Sequence, residues 1–115
     1  MSRLSSERAG ARRRQHAAVF AALGDETRLA LISALSGGEP RSIAQLTDGS
    51  HMTRQAITKH LRVLEQAGIV HGMRLGRESR FAFDPLPMNE LRDYLARVSE
   101  QWDRVLARLK SFVES

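Results

Sequence analysis

The 115-residue chain contains no cysteine, so no disulfide and no thiolate metal site can form. No apolar run approaches the roughly 18 residues that a membrane helix requires. Residues 1–14 also lack the apolar centre of a secretory signal, so the expected location is the cytoplasm, with no membrane partner. Gly-rich phosphate loops are missing, and no nucleophile, base and orienting acid are suggested by spacing, so an enzyme is not expected. The four histidines, His16, His51, His60 and His71, fall on four separate stretches with no i, i+4 pair, which argues against a dedicated zinc site. No metal and no cofactor are expected. Only three prolines occur, and each marks a boundary: Pro40 follows a helix, while Pro85 and Pro87 separate a hairpin from the last helix.

What is present is a globular composition, 42% hydrophobic and 27% charged, at a length that suits one domain. The net charge of +5 is unevenly spread. Residues 1–14 carry five Arg against one Glu, and residues 41–80 carry seven bases against three acids, whereas 15–40 and 84–115 are slightly acidic. Two basic segments on one small chain form the pattern of a polyanion binder.

The informative stretch is Thr53–Gly68, T-R-Q-A-I-T-K-H-L-R-V-L-E-Q-A-G. Ile57, Leu61 and Leu64 share one helical face, Thr53 suits an N-cap and Gly68 a left-handed C-terminal stop. The opposite face carries Arg54, Gln55, Thr58, Lys59 and Arg62, with Glu65 its lone acid. Arginine and glutamine at a helix N-terminus can form paired hydrogen bonds to guanine and adenine edges, so this segment reads as a DNA recognition helix. Before it, His16, Val19, Phe20 and Leu23 share a face of a helix that starts near Gln15 and ends at Gly24. Asp25 caps a second helix to Leu35, with Leu29, Ile32 and Leu35 as the expected buried stripe. Ser42 and Gln45 form a capping box for a two-turn third helix, and 47–52 supplies the turn of a helix-turn-helix. Residues 1–14 show no apolar period and are expected to form a flexible basic arm.

After Gly68 the apolar period approaches two. Residues 69–75 and 79–83 flank a Gly76-Arg77-Glu78 turn, a β-hairpin wing that projects Arg74, Arg77 and Arg80. In the last helix, expected over 87–113, Leu91, Leu95, Val98, Trp102, Val105, Leu109 and Phe112 step by alternating fours and threes. So narrow a seam wants another helix. The expectation is a homodimer in which the last helices of two protomers pack together with the first helices, through Val19 and Phe20, alongside; Trp102 is its central anchor.

These residues resemble the ArsR family of bacterial winged helix-turn-helix repressors. The resemblance runs from Val19 to Phe112 and is carried by A-L-G-D-E-T-R-L-A-L-I, T-R-Q-A-I-T-K-H-L-R-V-L-E-Q-A-G-I-V and G-R-E-S-R-F-A-F-D-P. It implies a mainly α fold with a β-hairpin wing, filling residues 15–115, and a homodimer repressing transcription from a palindromic operator, often that of its own gene. By the same resemblance Arg54, Gln55 and Thr58 read bases, and Lys59, Arg62, Arg74, Arg77 and Arg80 hold phosphates, with Ser42 and Thr53 counted among the contacts. The family's metal-sensing members carry cysteines where this chain has Glu39-Pro-Arg-Ser-Ile-Ala, or His and acid clusters on the final helix, which here lacks His; the resemblance is to a branch that does not sense metal. An unidentified small-molecule effector remains open. Two alternatives stand beside this reading: a winged-helix protein-interaction module, and a metal sensor built from histidine or from oxygen ligands such as Glu90, Asp93, Glu100 and Asp103.

Overall fold

The computed structural model describes residues 3–48 and 50–114; Met1, Ser2, Ser115 and Gly49 of the expected 47–52 turn lie outside them. The elements run α1 (Arg3–Leu23), α2 (Glu26–Leu35), β1 (Arg41–Ser42), α3 (Ile43–Thr47), α4 (Arg54–Gln66), β2 (Val70–Leu75), β3 (Glu78–Phe83) and α5 (Pro85–Glu114). A three-stranded antiparallel sheet in the order β1-β3-β2 lies beside the helices.

Local chemistry accounts for most boundaries. Asp25 accepts from the Arg28 amide at the start of α2, Ser42 and Gln45 close a reciprocal capping box on α3, and Thr53 accepts from the Ala56 amide at the start of α4. These contacts satisfy amides that have no partner inside the helix. The end of α4 is a Schellman motif: Gly68 N–H donates to Glu65 O at 2.9 Å and Ile69 N–H to Leu64 O at 2.9 Å, with Gly68 at φ +78°. Gly76 at φ +66° turns the wing in a two-residue loop between Leu75 and Glu78. The core is a single cluster in which Leu35, Ile57, Leu61, Leu64, Ile69, Val19 and Val70 are fully enclosed.

Four expectations change. The first helix begins at Arg3, not near Gln15, so residues 3–14 are helical and not a separate arm. They hold Ala, Arg and Glu, strong helix formers, with an Arg3–Glu7 i, i+4 pair at 3.4 Å; a missing apolar period removes the signature of burial, not of helix. On α2 the inward positions are Leu31 and Leu35, one turn apart, and Leu29 is 50% exposed. The sheet gains a third strand because Arg41 and Ser42 pair with Phe81 and Arg80, a two-residue ladder too short to carry a period. Val19 and Leu91, expected at the dimer interface, are 2% and 3% exposed and belong to the protomer's own core. The side chains of Val19 and Leu91 fill the space between α1, α5 and the rest of the domain, so they cannot meet a partner.

Candidate nucleic-acid interface

Helix geometry sorts the outward residues of α4. Ile57, Leu61 and Leu64 anchor its buried side, so at 100° per residue Gln55, Lys59 and Arg62 point directly away from the core. Arg54, Thr58 and Glu65 occupy one flank of the same face. That flank meets two neighbours. Arg54 borders a hollow with Ala44, Gln45 and Thr47 of α3, while Thr58 and Arg62 line a groove of about 480 Å³ together with Arg74, Ser79 and Phe81 of the wing. The recognition helix and the wing thus share one basic groove.

The wing is fastened to α4 by the helix's single acid. Glu65 Oε2 accepts from the Gly72 amide at 3.1 Å. A Cβ at Gly72 would lie 3.0 Å from that oxygen and 3.5 Å from the Phe81 ring, so glycine permits the approach. The sequence signal for this contact exists: a lone acid on a basic face and a glycine inside a strand. At the other end of the wing, His71 Nε2 lies 2.7 Å from Asp84 Oδ2. Asp84 Oδ1 accepts from the Leu86 amide at 3.0 Å and so caps α5. That amide, then the His71 ring, holds the Asp84 carboxyl below its ordinary value.

A second fastening lies behind α4. Arg28 donates from Nε to Ala22 O at 2.6 Å and from Nη2 to Ala21 O at 3.3 Å, and its Nη1 is 3.2 Å from His60 Nδ1. Because a guanidinium can only donate, His60 Nδ1 accepts here. Asp25 Oδ2 lies 3.7 Å from the same nitrogen. The Arg28 amide holds the Asp25 carboxyl below its ordinary value against some burial, and the Arg28 charge adds to the effect. Arg28 therefore ties the last turn of α1 and the start of α2 to the middle of the recognition helix.

The expected contact residues are not equivalent. Arg54, Gln55, Lys59, Arg62, Arg74 and Arg77 are exposed and carry no ion pair among the described residues. Thr53 is exposed, but its hydroxyl oxygen accepts the cap bond. Thr58 is half-buried and donates its hydroxyl to Arg54 O at 2.7 Å, which leaves its oxygen as an acceptor and its methyl for apolar contact. Ser42 is 3% exposed and spends its oxygen on the Gln45 amide, so it is a structural cap and not a surface contact. Arg80 faces away from the groove, since adjacent Phe81 faces into it, and its guanidinium pairs with Glu78 at 2.8 Å. Among the described residues no three His, Asp or Glu side chains gather into a metal-binding group.

A family model described as a helix-turn-helix domain matches residues 23–72. The HTH-type transcriptional regulator YuzN of Bacillus subtilis is 41% identical over 81 residues, covering 64% of this chain and 87% of that protein. The HTH-type transcriptional repressor SmtB of Mycobacterium tuberculosis is 35% identical over 57 residues, half of this chain and 42% of its own length. Among solved structures, an ArsR-like transcriptional regulator from Rhodococcus sp. RHA1 superposes with a TM-score of 0.81 at 38% identity, over 89% of this chain and 93% of the other.

Proposed function

This chain belongs to the ArsR family of winged helix-turn-helix transcriptional regulators, and from that premise we propose that it is a homodimeric repressor that binds a palindromic operator, regulates its own gene and does not respond to metal. The observation that carries the reading is the exposed pair Arg54 and Gln55 in the first turn of α4, beside the groove that Thr58 and Arg62 share with wing residue Arg74. Arg54 and Gln55 read base edges; Lys59, Arg62, Arg74 and Arg77 hold the phosphates on either side.

Dimerisation is supported by what α5 leaves uncovered. Leu95, Trp102, Val105, Leu109 and Phe112 are 47%, 61%, 42%, 57% and 77% exposed along one seam. Phe20, 40% exposed, packs edge-on against Tyr94 and joins α1 to that seam. A second copy of the same seam covers it and sets two recognition helices about 34–36 Å apart, one helical turn of DNA. Three of the four histidines already have structural neighbours, His60 beside Arg28, His71 on Asp84 and His16 on Tyr94, which supports a function without metal.

The test is operator binding by the Arg54→Ala and Gln55→Ala variants, on DNA from upstream of the gene and on unrelated DNA. Each lost base contact is expected to weaken specific binding by about 1–3 kcal/mol while unrelated DNA is little affected. Equal loss on every sequence would remove the base-reading role.

A further inference from the structure

One basic cluster lies away from the DNA-facing surface. Arg12, Arg13 and His16 of α1 and Tyr94 and Arg97 of α5, with Ala9 at the edge, line an open pocket of about 500 Å³. No acid contributes to its wall. Among the described residues none of the three arginines makes an ion pair, although α1 and α5 each form one elsewhere, Arg3 with Glu7 and Lys110 with Glu114. The His16 ring stacks on Tyr94 with centroids 4.7 Å apart and planes 28° from parallel, which bridges the two helices in the wall of the pocket. Three like charges lining one pocket repel each other, and an anion held between them relieves that repulsion. Arginine's planar set of donors matches the paired oxygens of a carboxylate or phosphate.

We propose that this pocket binds a small oxyanion, an organic carboxylate or a phosphate, through Arg12, Arg13 and Arg97. The anion ties the N-terminal half of α1 to α5. Its role as an effector rests on the homodimer reading, because α1 and α5 also carry the proposed dimer seam; the binding itself does not.

The experiment is calorimetric titration of the full chain with inorganic phosphate and, separately, with benzoate, at ionic strength held constant with chloride. Saturable binding of at least one of them at one site per protomer is expected, and the one that binds identifies the source of the oxyanion. Arg12→Gln and Arg97→Gln are each expected to weaken it about tenfold or more, as for loss of a charge-assisted hydrogen bond, while Arg108→Gln, outside the pocket, leaves it unchanged. These positions are exposed, and circular dichroism checks that the variants fold. Absence of saturable binding by both anions, or wild-type affinity in the Arg12 and Arg97 variants, overturns the proposal. If neither anion binds and Arg97→Gln instead loosens the dimer, the pocket receives a carboxylate of the second copy and the proposal fails. If neither binds and the variant loses affinity for all DNA alike, it is a backbone contact and fails equally. Operator affinity and dimer mass, measured without added anion, separately report on the repressor reading.

Discussion

At the scale of single residues, the electrostatic contacts that matter most are small and local. Arg28 supplies three hydrogen-bonding groups to α1 and α4, and Arg28→Ala leaves the Ala22 carbonyl without that donor. A loss of roughly 1–3 kcal/mol in unfolding free energy is expected, read by urea denaturation, and its absence would mean that water replaces the guanidinium without cost. Asp25 and Asp84 both have carboxyls held below the ordinary value of 3.8 by backbone amides at helix starts. A depressed carboxylate adds stability that is complete above its unfolded-state pKa and disappears as pH falls through the lower folded value. Stability should therefore stay level with respect to these groups near neutrality and drop in the acid range below about pH 4. Asp84→Asn should flatten part of that drop, and an unchanged acid limb in thermal melts would show that the cap does not contribute.

At the scale of elements, the wing and recognition helix act as a unit because Glu65 reaches the Gly72 amide. In Glu65→Ala the helix should persist, since Thr53 and the Gly68 turn bound it independently, while Gly72 should exchange its amide hydrogen faster. Unchanged exchange at Gly72 would show that strand pairing alone holds the wing. The same contact explains the only acid on an otherwise basic face: Glu65 lines the groove beside Thr58, Arg62 and Arg74, and its carboxylate is spent there as a fastening for the wing. α1 teaches the complementary lesson. Its first dozen residues offer helix propensity without an apolar stripe, and propensity without packing is a weak mark in a sequence.

At the scale of the molecule, one protomer is far from compact. Its radius of gyration is 19.0 Å and it spans 66 Å, where about 13 Å is usual for a packed domain of this length. The excess comes from α5, whose 30 residues extend about 45 Å and whose described residues beyond Val98 are exposed. A partner helix would cover that seam. Trp102→Asp should shift the mass measured by light scattering from dimer towards monomer, because a charge replaces a central aromatic contact. A Trp102→Asp protein that remains dimeric at micromolar concentration would place the interface elsewhere.

Read from the amino acids alone, the caps at Asp25, Ser42 and Thr53, the stop at Gly68, the wing and the outward face of α4 were all available, because each depends on residues within a turn or two of one another. Tertiary structure alone decided that Ser42 is enclosed, that Arg80 turns from the groove, that Val19 and Leu91 belong to the protomer's core and that the arginines of α1 and α5 share a pocket. The division has a physical cause. Capping and turn chemistry are local, whereas burial and the meeting of like charges depend on which distant segments the chain brings together.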